Sequence, residues 1–153
     1  MKIRLLMVGK TDRGAVGELC SQYMERVARM VPLEQVVVPE AGKGAPAYQQ
    51  QVECERLLAA IKPGERVVVL DERGTRPTSE EFAAQLGKWR DQSVKQLVFV
   101  VGGAYGLTDA VRQRADLVLA LSAMTFPHQL VRVVFAEQLY RAYTILNRTP
   151  YHH

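Results

Sequence analysis

Five short, nearly unbroken apolar runs punctuate the chain, at Lys2 to Val8, Leu33 to Val38, Arg66 to Leu70, Gln96 to Val101 and Leu117 to Leu121. Runs of this length that do not alternate with polar residues predict strands buried on both faces. Between them, helical spacing of apolar residues covers about Gly14 to Met30, Pro46 to Ile61, Thr78 to Gln92 and Asp109 to Arg114. Thr78-Ser79-Glu80-Glu81 has the spacing of a capping box, in which the Thr oxygen and the Glu carboxylate satisfy each other's free amides. The regular alternation predicts an α/β fold, a mostly parallel sheet with flanking helices, in one domain over residues 1–153. Ligands of such sheets sit beyond the carboxyl ends of the strands. Those ends are Val8-Gly9-Lys10, Val38-Pro39-Glu40, Leu70 to Gly74, Gly102 to Leu107 and Ser122 to His128.

The last helical pattern, His128 to about Leu146 behind Pro127, is apolar nearly all round. Pro127 suits a first helical position. A sheet covers one face of a helix, so the pattern predicts that a second subunit covers the other and that the protein is a homodimer; the alternative is a helix wrapped by the chain's own helices. At 100° per residue, Arg132 lies about 40° from His128 while Glu137 and Arg141 lie on the far side. These residues cannot serve one site from one face of the helix, although in a dimer the far face can contribute to the partner's site.

Composition narrows the class. With 153 residues, 48% of them apolar and 24% charged, the chain can bury a core and is not a disordered or low-complexity sequence. No apolar run approaches the ~20 residues that cross a bilayer. The opening Met1 to Gly9 has charges inside its apolar stretch and no small-residue cleavage site. It therefore reads as a strand and predicts a cytoplasmic protein. Cys20 and Cys54 have neither metal nor redox spacing and predict buried thiols. The net charge of +4 is compatible with a polyanionic partner such as RNA.

Gly9-Lys10-Thr11 mimics the end of a phosphate-binding loop but lacks the glycine that motif needs where Arg4 stands. Gly102-Gly103-Ala104-Tyr105-Gly106 leaves a buried strand and does not match the dinucleotide fingerprint. It reads as a turn, or as a place where backbone approaches a flat ligand. No metalloprotease, serine-hydrolase, paired-cysteine or calcium-loop motif is present, and no metal is expected. Thr125, His128, Arg132, Arg141, Arg148, Tyr151, His152 and His153 crowd into the C-terminal part. Cations for phosphate and a ring for stacking are the ingredients of single-stranded RNA recognition.

Phe99 to Leu107 (FVVGGAYGL), Leu121 to Val133 (LSAMTFPHQLVRV), Glu137 to Ala142 (EQLYRA) and the ending Pro150-Tyr151-His152-His153 together resemble the RlmH family. These are small SPOUT-class methyltransferases that modify N3 of a pseudouridine in 23S ribosomal RNA. The likeness spans the chain and is weakest over residues 10 to 60. It implies a fold with a C-terminal trefoil knot, an exception to the rule against knots. It also implies a homodimer and a substrate presented by the assembled ribosome. S-adenosylmethionine would be held by Leu70, Gly102, Gly103, Leu121, Ser122, Ala123, Met124, Thr125 and Phe126, the glycines letting backbone come close.

Methyl transfer needs the methyl in line with the attacking nitrogen, which must first lose or share its proton. The resemblance, with the near-neutral titration of imidazole, makes His128 the candidate base and His152 its rival. Arg132 and Arg141 would hold phosphate or developing negative charge, and Tyr151 would stack or hydrogen-bond. Two competing readings are a non-enzymatic ribosome-associated RNA-binding protein and a flavodoxin-like nucleotide-binding domain.

Overall fold

The computed structural model describes all 153 residues. Strands β1 (Lys2–Val8), β2 (Leu33–Val38), β3 (Arg66–Thr75), β4 (Gln96–Val101) and β5 (Leu117–Leu119) alternate with helices α1 (Ala15–Ala28), α2 (Pro46–Ala60), α3 (Ser79–Asp91), α4 (Asp109–Arg114) and α5 (His128–Leu146). The strands form one parallel sheet in the order β2-β1-β4-β3-β5. The capping box forms as expected: Glu81 N donates to Thr78 Oγ1 at 3.1 Å, and Thr78 N to Glu81 Oε2 at 2.8 Å.

Strand alternation sorts the apolar residues into two cores. Ile3, Leu5, Met7, Val68, Leu70, Leu97, Phe99 and Val101 face α1, α3 and α5, where Phe99, Phe82 and Phe135 pack with centroids 4.7 to 6.3 Å apart. Leu6, Val8, Val67, Val69, Val98 and Val100 face α2 and α4, against Cys54, Leu57 and Val111. Both thiols are free and buried, and burial pushes that of Cys20 up. Burial on both faces holds for β1, β4 and β3 as far as Leu70, but the edge strands β2 and β5 are partly exposed. The expectation fails there because an edge strand has a neighbour on one side only. Arg4, within β1, is buried with Glu65, its Nη1 2.6 Å from Oε1.

Two boundaries differ from expectation at the end that matters for ligands. β3 runs past Leu70 to Thr75 through a register shift, and β5 stops at Leu119. Gly74 lies so close to the following crossover that a Cβ would sit 2.4 Å from the Val118 carbonyl oxygen. Beyond β5, Ala120 N donates to Thr75 O at 2.8 Å. The segments 71–75 and 118–125 therefore lie against each other.

Helix α5 lies between α1 and α3, and Val133, Phe135, Ala136, Leu139, Ala142 and Tyr143 are buried within this chain. The helix is largely wrapped by its own neighbours, as the alternative reading of its apolar circumference expects, and Leu130, 40% exposed, marks its open edge. No helix is long and apolar enough to cross a membrane.

The Tyr143 hydroxyl is buried without a hydrogen-bond partner, and burial raises its pKa from the ordinary value of 10 to about 12. A raised pKa contributes stability that is intact below the unfolded value and lost as pH climbs through the folded one. Tyr143→Phe is therefore expected to be neutral or stabilising by up to ~1 kcal/mol at neutral pH. It should also flatten the loss of stability between pH 10 and about 12, as read by urea denaturation across that range.

Candidate active site

Beyond the carboxyl ends of β3, β4 and β5 lies a cleft of about 690 Å³. Its floor and walls come from Leu70, Val101, Leu119 and Leu121, the backbone turn Gly102 to Leu107, and Ser122, Met124, Thr125, Phe126 and His128. This size suits a small-molecule ligand, and an apolar slot edged by peptide groups suits a flat heterocycle. Of the nine residues expected to hold a cofactor, eight line the cleft; Ala123 does not, and faces solvent. A turn sets it outward, since Met124 N donates to Ser122 Oγ at 3.0 Å.

The walls are pinned by Thr125 and by Arg112 and Gln50, which sequence patterns did not single out. Arg112 Nη1 donates to Leu107 O at 2.7 Å and lies 3.1 Å from Asp71 Oδ2. Its Nη2 pairs with Asp109, and those bonds, Asp109 first, hold the guanidinium above its ordinary pKa. Gln50 Nε2 donates to Tyr105 O at 2.9 Å, and Thr125 Oγ1 to Glu72 Oε2 at 2.7 Å. One arginine thus joins the end of β3 to the glycine turn, and one threonine joins the last loop to residue 72. Gly106 adopts φ 78 within that turn, a region glycine enters freely. Gly102 and Gly103 do line the cleft, but what forbids their Cβ atoms is the chain itself. Leu107 stands 2.9 Å from the Cβ position of Gly102, and Glu53 Oε1 2.9 Å from that of Gly103. Their smallness thus serves internal packing, and both still line the cleft.

Helix α5 distributes the remaining candidates. His128, at its first turn, stands half-buried in the cleft wall. Arg132, one turn on, is 0% exposed. Its Nη2 donates to Val8 O at 2.5 Å, and its Nη1 to Gly9 O at 2.8 Å and Thr11 Oγ1 at 3.0 Å. Burial pulls its pKa down. Arg132 therefore ties α5 to the end of β1, which corrects its assignment to phosphate: every contact it makes is internal.

Arg141 follows His128 by thirteen residues, roughly 20 Å along the axis, on the opposite side. It sits outside the cleft in a second cluster. Glu137 Oε1 accepts from Arg141 Nη2 at 2.7 Å and Nε at 3.0 Å, a contact that raises the arginine's pKa. The Tyr151 hydroxyl donates to the same oxygen at 3.0 Å and lies 3.3 Å from the Tyr23 hydroxyl. Burial, then these bonds, push the Tyr151 pKa well up. His152 Nδ1 is 3.0 Å from Arg141 Nη1, and its Nε2 is 2.6 Å from Glu80 Oε1. The tail reaches this position because α5 ends in a Schellman motif: Arg148 takes φ 54, Arg148 N donates to Ile145 O, and Thr149 N to Thr144 O. Arg141, Tyr151 and His152 thus come together with each other and not with His128. Tyr23, Arg26 and Glu80, from α1 and α3, join them unforeseen; their partners are more than 70 residues away except within α1, so no local spacing announces them.

Arg132→Ala is expected to cost about 3 kcal/mol or more, because two strand-end carbonyls and a hydroxyl lose a charged donor in a buried place. Chemical denaturation measures this directly. A substitution that left stability intact and weakened only RNA binding would restore the phosphate assignment.

The family model described as "Predicted SPOUT methyltransferase" matches residues 1–152. Ribosomal RNA large subunit methyltransferase H of Geobacter metallireducens is 49% identical over 154 residues, covering 100% of this chain and 99% of that protein. The protein of the same name from Geobacter sulfurreducens is 50% identical, with 100% of both chains covered, and that from Parabacteroides distasonis is 44% identical. Among solved structures, a probable methyltransferase from Bordetella pertussis matches 92% of this chain and 95% of its own at a TM-score of 0.58 and 17% identity, a likeness of fold. A probable methylase family protein from Haemophilus influenzae matches 95% of this chain and 66% of its own at 0.53 and 15% identity. With its full-length family match and its cleft at the carboxyl ends of β3 to β5, the chain belongs to the SPOUT methyltransferases.

Proposed function

We propose that this protein is an S-adenosylmethionine-dependent methyltransferase acting on N3 of a pseudouridine in 23S ribosomal RNA, as a cytoplasmic homodimer working on assembled ribosomes. The observation that carries the reading is identity near 50% over the whole chain to proteins named ribosomal RNA large subunit methyltransferase H. The cleft supports it. Its apolar slot between Leu70, Leu119 and Leu121 fits an adenine ring, and the peptide groups of 102–107 offer hydrogen bonds to the ring edge. When bound there, S-adenosylmethionine supplies an electrophilic methyl group.

The chain's own work is positioning, together with removal of the N3 proton. His128, in the cleft wall, is placed to accept that proton. The walls held by Arg112 and Thr125 keep the slot in shape and exclude water from one side. A trefoil knot belongs to the same reading, supported by the close passage of 118–125 along 71–75.

The dimer follows from the division of candidates. His128 and the Arg141–Tyr151–His152 cluster point away from each other within one chain, so the second cluster serves a substrate only across an interface. The exposed Met124 (74%) and Leu130, near the cleft mouth and along α5, supply apolar surface for it. In this reading residues 1–153 form one methyltransferase domain whose complete site takes two copies.

Labelled methyl transfer to ribosomes from cells lacking this protein tests the function, with label on one large-subunit pseudouridine as the expected outcome; neither transfer nor cofactor binding would favour a purely RNA-binding protein. His128→Ala should lower turnover about 100-fold or more while S-adenosylmethionine affinity changes little. Unchanged turnover removes the proton-accepting role. Mixing a cleft variant, Leu121→Trp, with a tail variant, Tyr151→Ala, each inactive alone, should recover about a quarter of the activity by forming heterodimers with one intact composite site. No recovery would place cleft and tail of the same chain in one site.

A further inference from the structure

Arg141 can only donate, so wherever its guanidinium meets a ring nitrogen that nitrogen must offer its lone pair. Arg141 Nη1 stands 3.0 Å from His152 Nδ1, which makes Nδ1 the acceptor and puts the ring proton on Nε2. Nε2 lies 2.6 Å from Glu80 Oε1, a carboxylate that can only accept while ionised. The contact with His152 is the main reason the Glu80 pKa lies below the ordinary carboxylate range. Both ring nitrogens are therefore committed. Reversing the tautomer would set a donor against the arginine and a lone pair against the carboxylate, two mismatched contacts in place of two matched ones.

From this arrangement we infer that Glu80 is a positioning residue: with Arg141 it fixes the tail imidazole as the Nε2–H tautomer and engages both ring nitrogens, so that docked His152 holds the tail in its place beside Arg141 and Tyr151 and is not the proton acceptor. The inference rests on the methyltransferase reading for its catalytic consequence and on the geometry alone for the tautomer. It separates two residues that the sequence leaves as rivals. A base needs a free lone pair, and docked His152 has none; His128 stands in the cleft wall outside this network. Glu80 reaches the tail from the first turn of α3, whose start the Thr78–Glu81 capping box fixes. The carboxylate thus stands on a rigid element, while the histidine it orients stands on a terminal segment. The rest of the cluster holds the other side: Glu137 fixes Arg141 through two bonds, and Arg141 lies 4.8 Å from the Tyr151 ring centroid.

The test uses the full chain labelled with ¹⁵N in histidine. Long-range ¹H–¹⁵N correlation of His152 should show the Nε2–H tautomer in the unmodified protein and in Glu80→Gln, whose amide oxygen still accepts, and an averaged pattern in Glu80→Ala. At saturating S-adenosylmethionine, Glu80→Ala should lower kcat for ribosomes by about 10- to 100-fold with the cofactor KM little changed, since loss of orientation is a geometric defect. Glu80→Gln should restore most of that rate, which a role confined to charge or to general stability would not allow. Glu80 is 63% exposed at its side chain, so the variants should fold, and their melting temperatures report whether they do. An Nδ1–H or averaged ring in the unmodified protein, or a tautomer indifferent to Glu80→Ala, overturns the inference. So does a Glu80→Ala rate equal to that of the unmodified chain. Failure of the unmodified chain to transfer methyl at all would defeat the catalytic reading itself, and the spectra would still decide the tautomer.

Discussion

The buried guanidinium of Arg132 is the contact on which the placement of every candidate depends. It joins the first turns of α5 to the carbonyls of Val8 and Gly9, at the end of a central strand. A strand end leaves carbonyls without ladder partners, and burying them unpaired would cost on the order of 1–3 kcal/mol each. One arginine satisfies two of them and in doing so sets the rotation of a 19-residue helix about its axis. With that rotation fixed, His128 must fall in the cleft wall. Glu137 and Arg141 must fall on the side away from it. An arginine that the sequence offers for phosphate is thus the residue that positions the other candidates on its helix.

The cleft and the tail cluster are built by different physics. The cleft is made largely of main chain and of aliphatic side chains from strand ends, and its shape is held by Arg112 and Thr125 reaching from one loop to the next. The tail cluster is made of charged and aromatic side chains from α1, α3, α5 and the C-terminal segment. A shape-selective slot suits a small neutral ring system, and a charged aromatic surface suits a nucleotide. Two chemistries on opposite sides of one helix need a second copy to face each other, which is the physical argument for a dimer that the helix's apolar circumference does not supply.

Much of this was legible in the sequence because its signals are local. Four of five strands and every helix fall within a few residues of their expected bounds, since apolar runs and capping residues act over short spans. The expected cofactor residues came from the family resemblance, and all but Ala123 line the cleft beyond the strand ends, where topology puts ligands. The errors are those of long range. Arg132 was misplaced because its partners lie more than 120 residues earlier. β3 was cut short at Leu70 because its continuation is held by a crossover that approaches only in three dimensions, at Gly74. That Leu107 and Glu53 also require glycine at 102 and 103 is likewise invisible from spacing alone. Tyr23 and Glu80 carried no signal at all, being ordinary helix residues until the tail folds onto them.

The way the tail is attached bears on how it works. Its anchors are side-chain contacts at the surface: a Glu80–His152 pair with a largely exposed carboxylate, a tyrosine edge against Tyr140 at 4.8 Å, and a guanidinium over the Tyr151 ring. An exposed hydrogen bond of this kind contributes little, and an aromatic pair adds about 0.5–1.5 kcal/mol. The non-glycine left-handed turn at Arg148 offsets part of that by about 1 kcal/mol or more. The tail therefore docks in a defined place through side-chain contacts alone, with the Tyr151 hydroxyl bonded to Glu137 and Tyr23 and His152 to Arg141, while the cleft walls are joined from one loop to the next. A segment held this way owes the orientation of its histidine to Arg141 and Glu80, which belong to helices that do not move with it, so the ring is oriented only while the tail is docked.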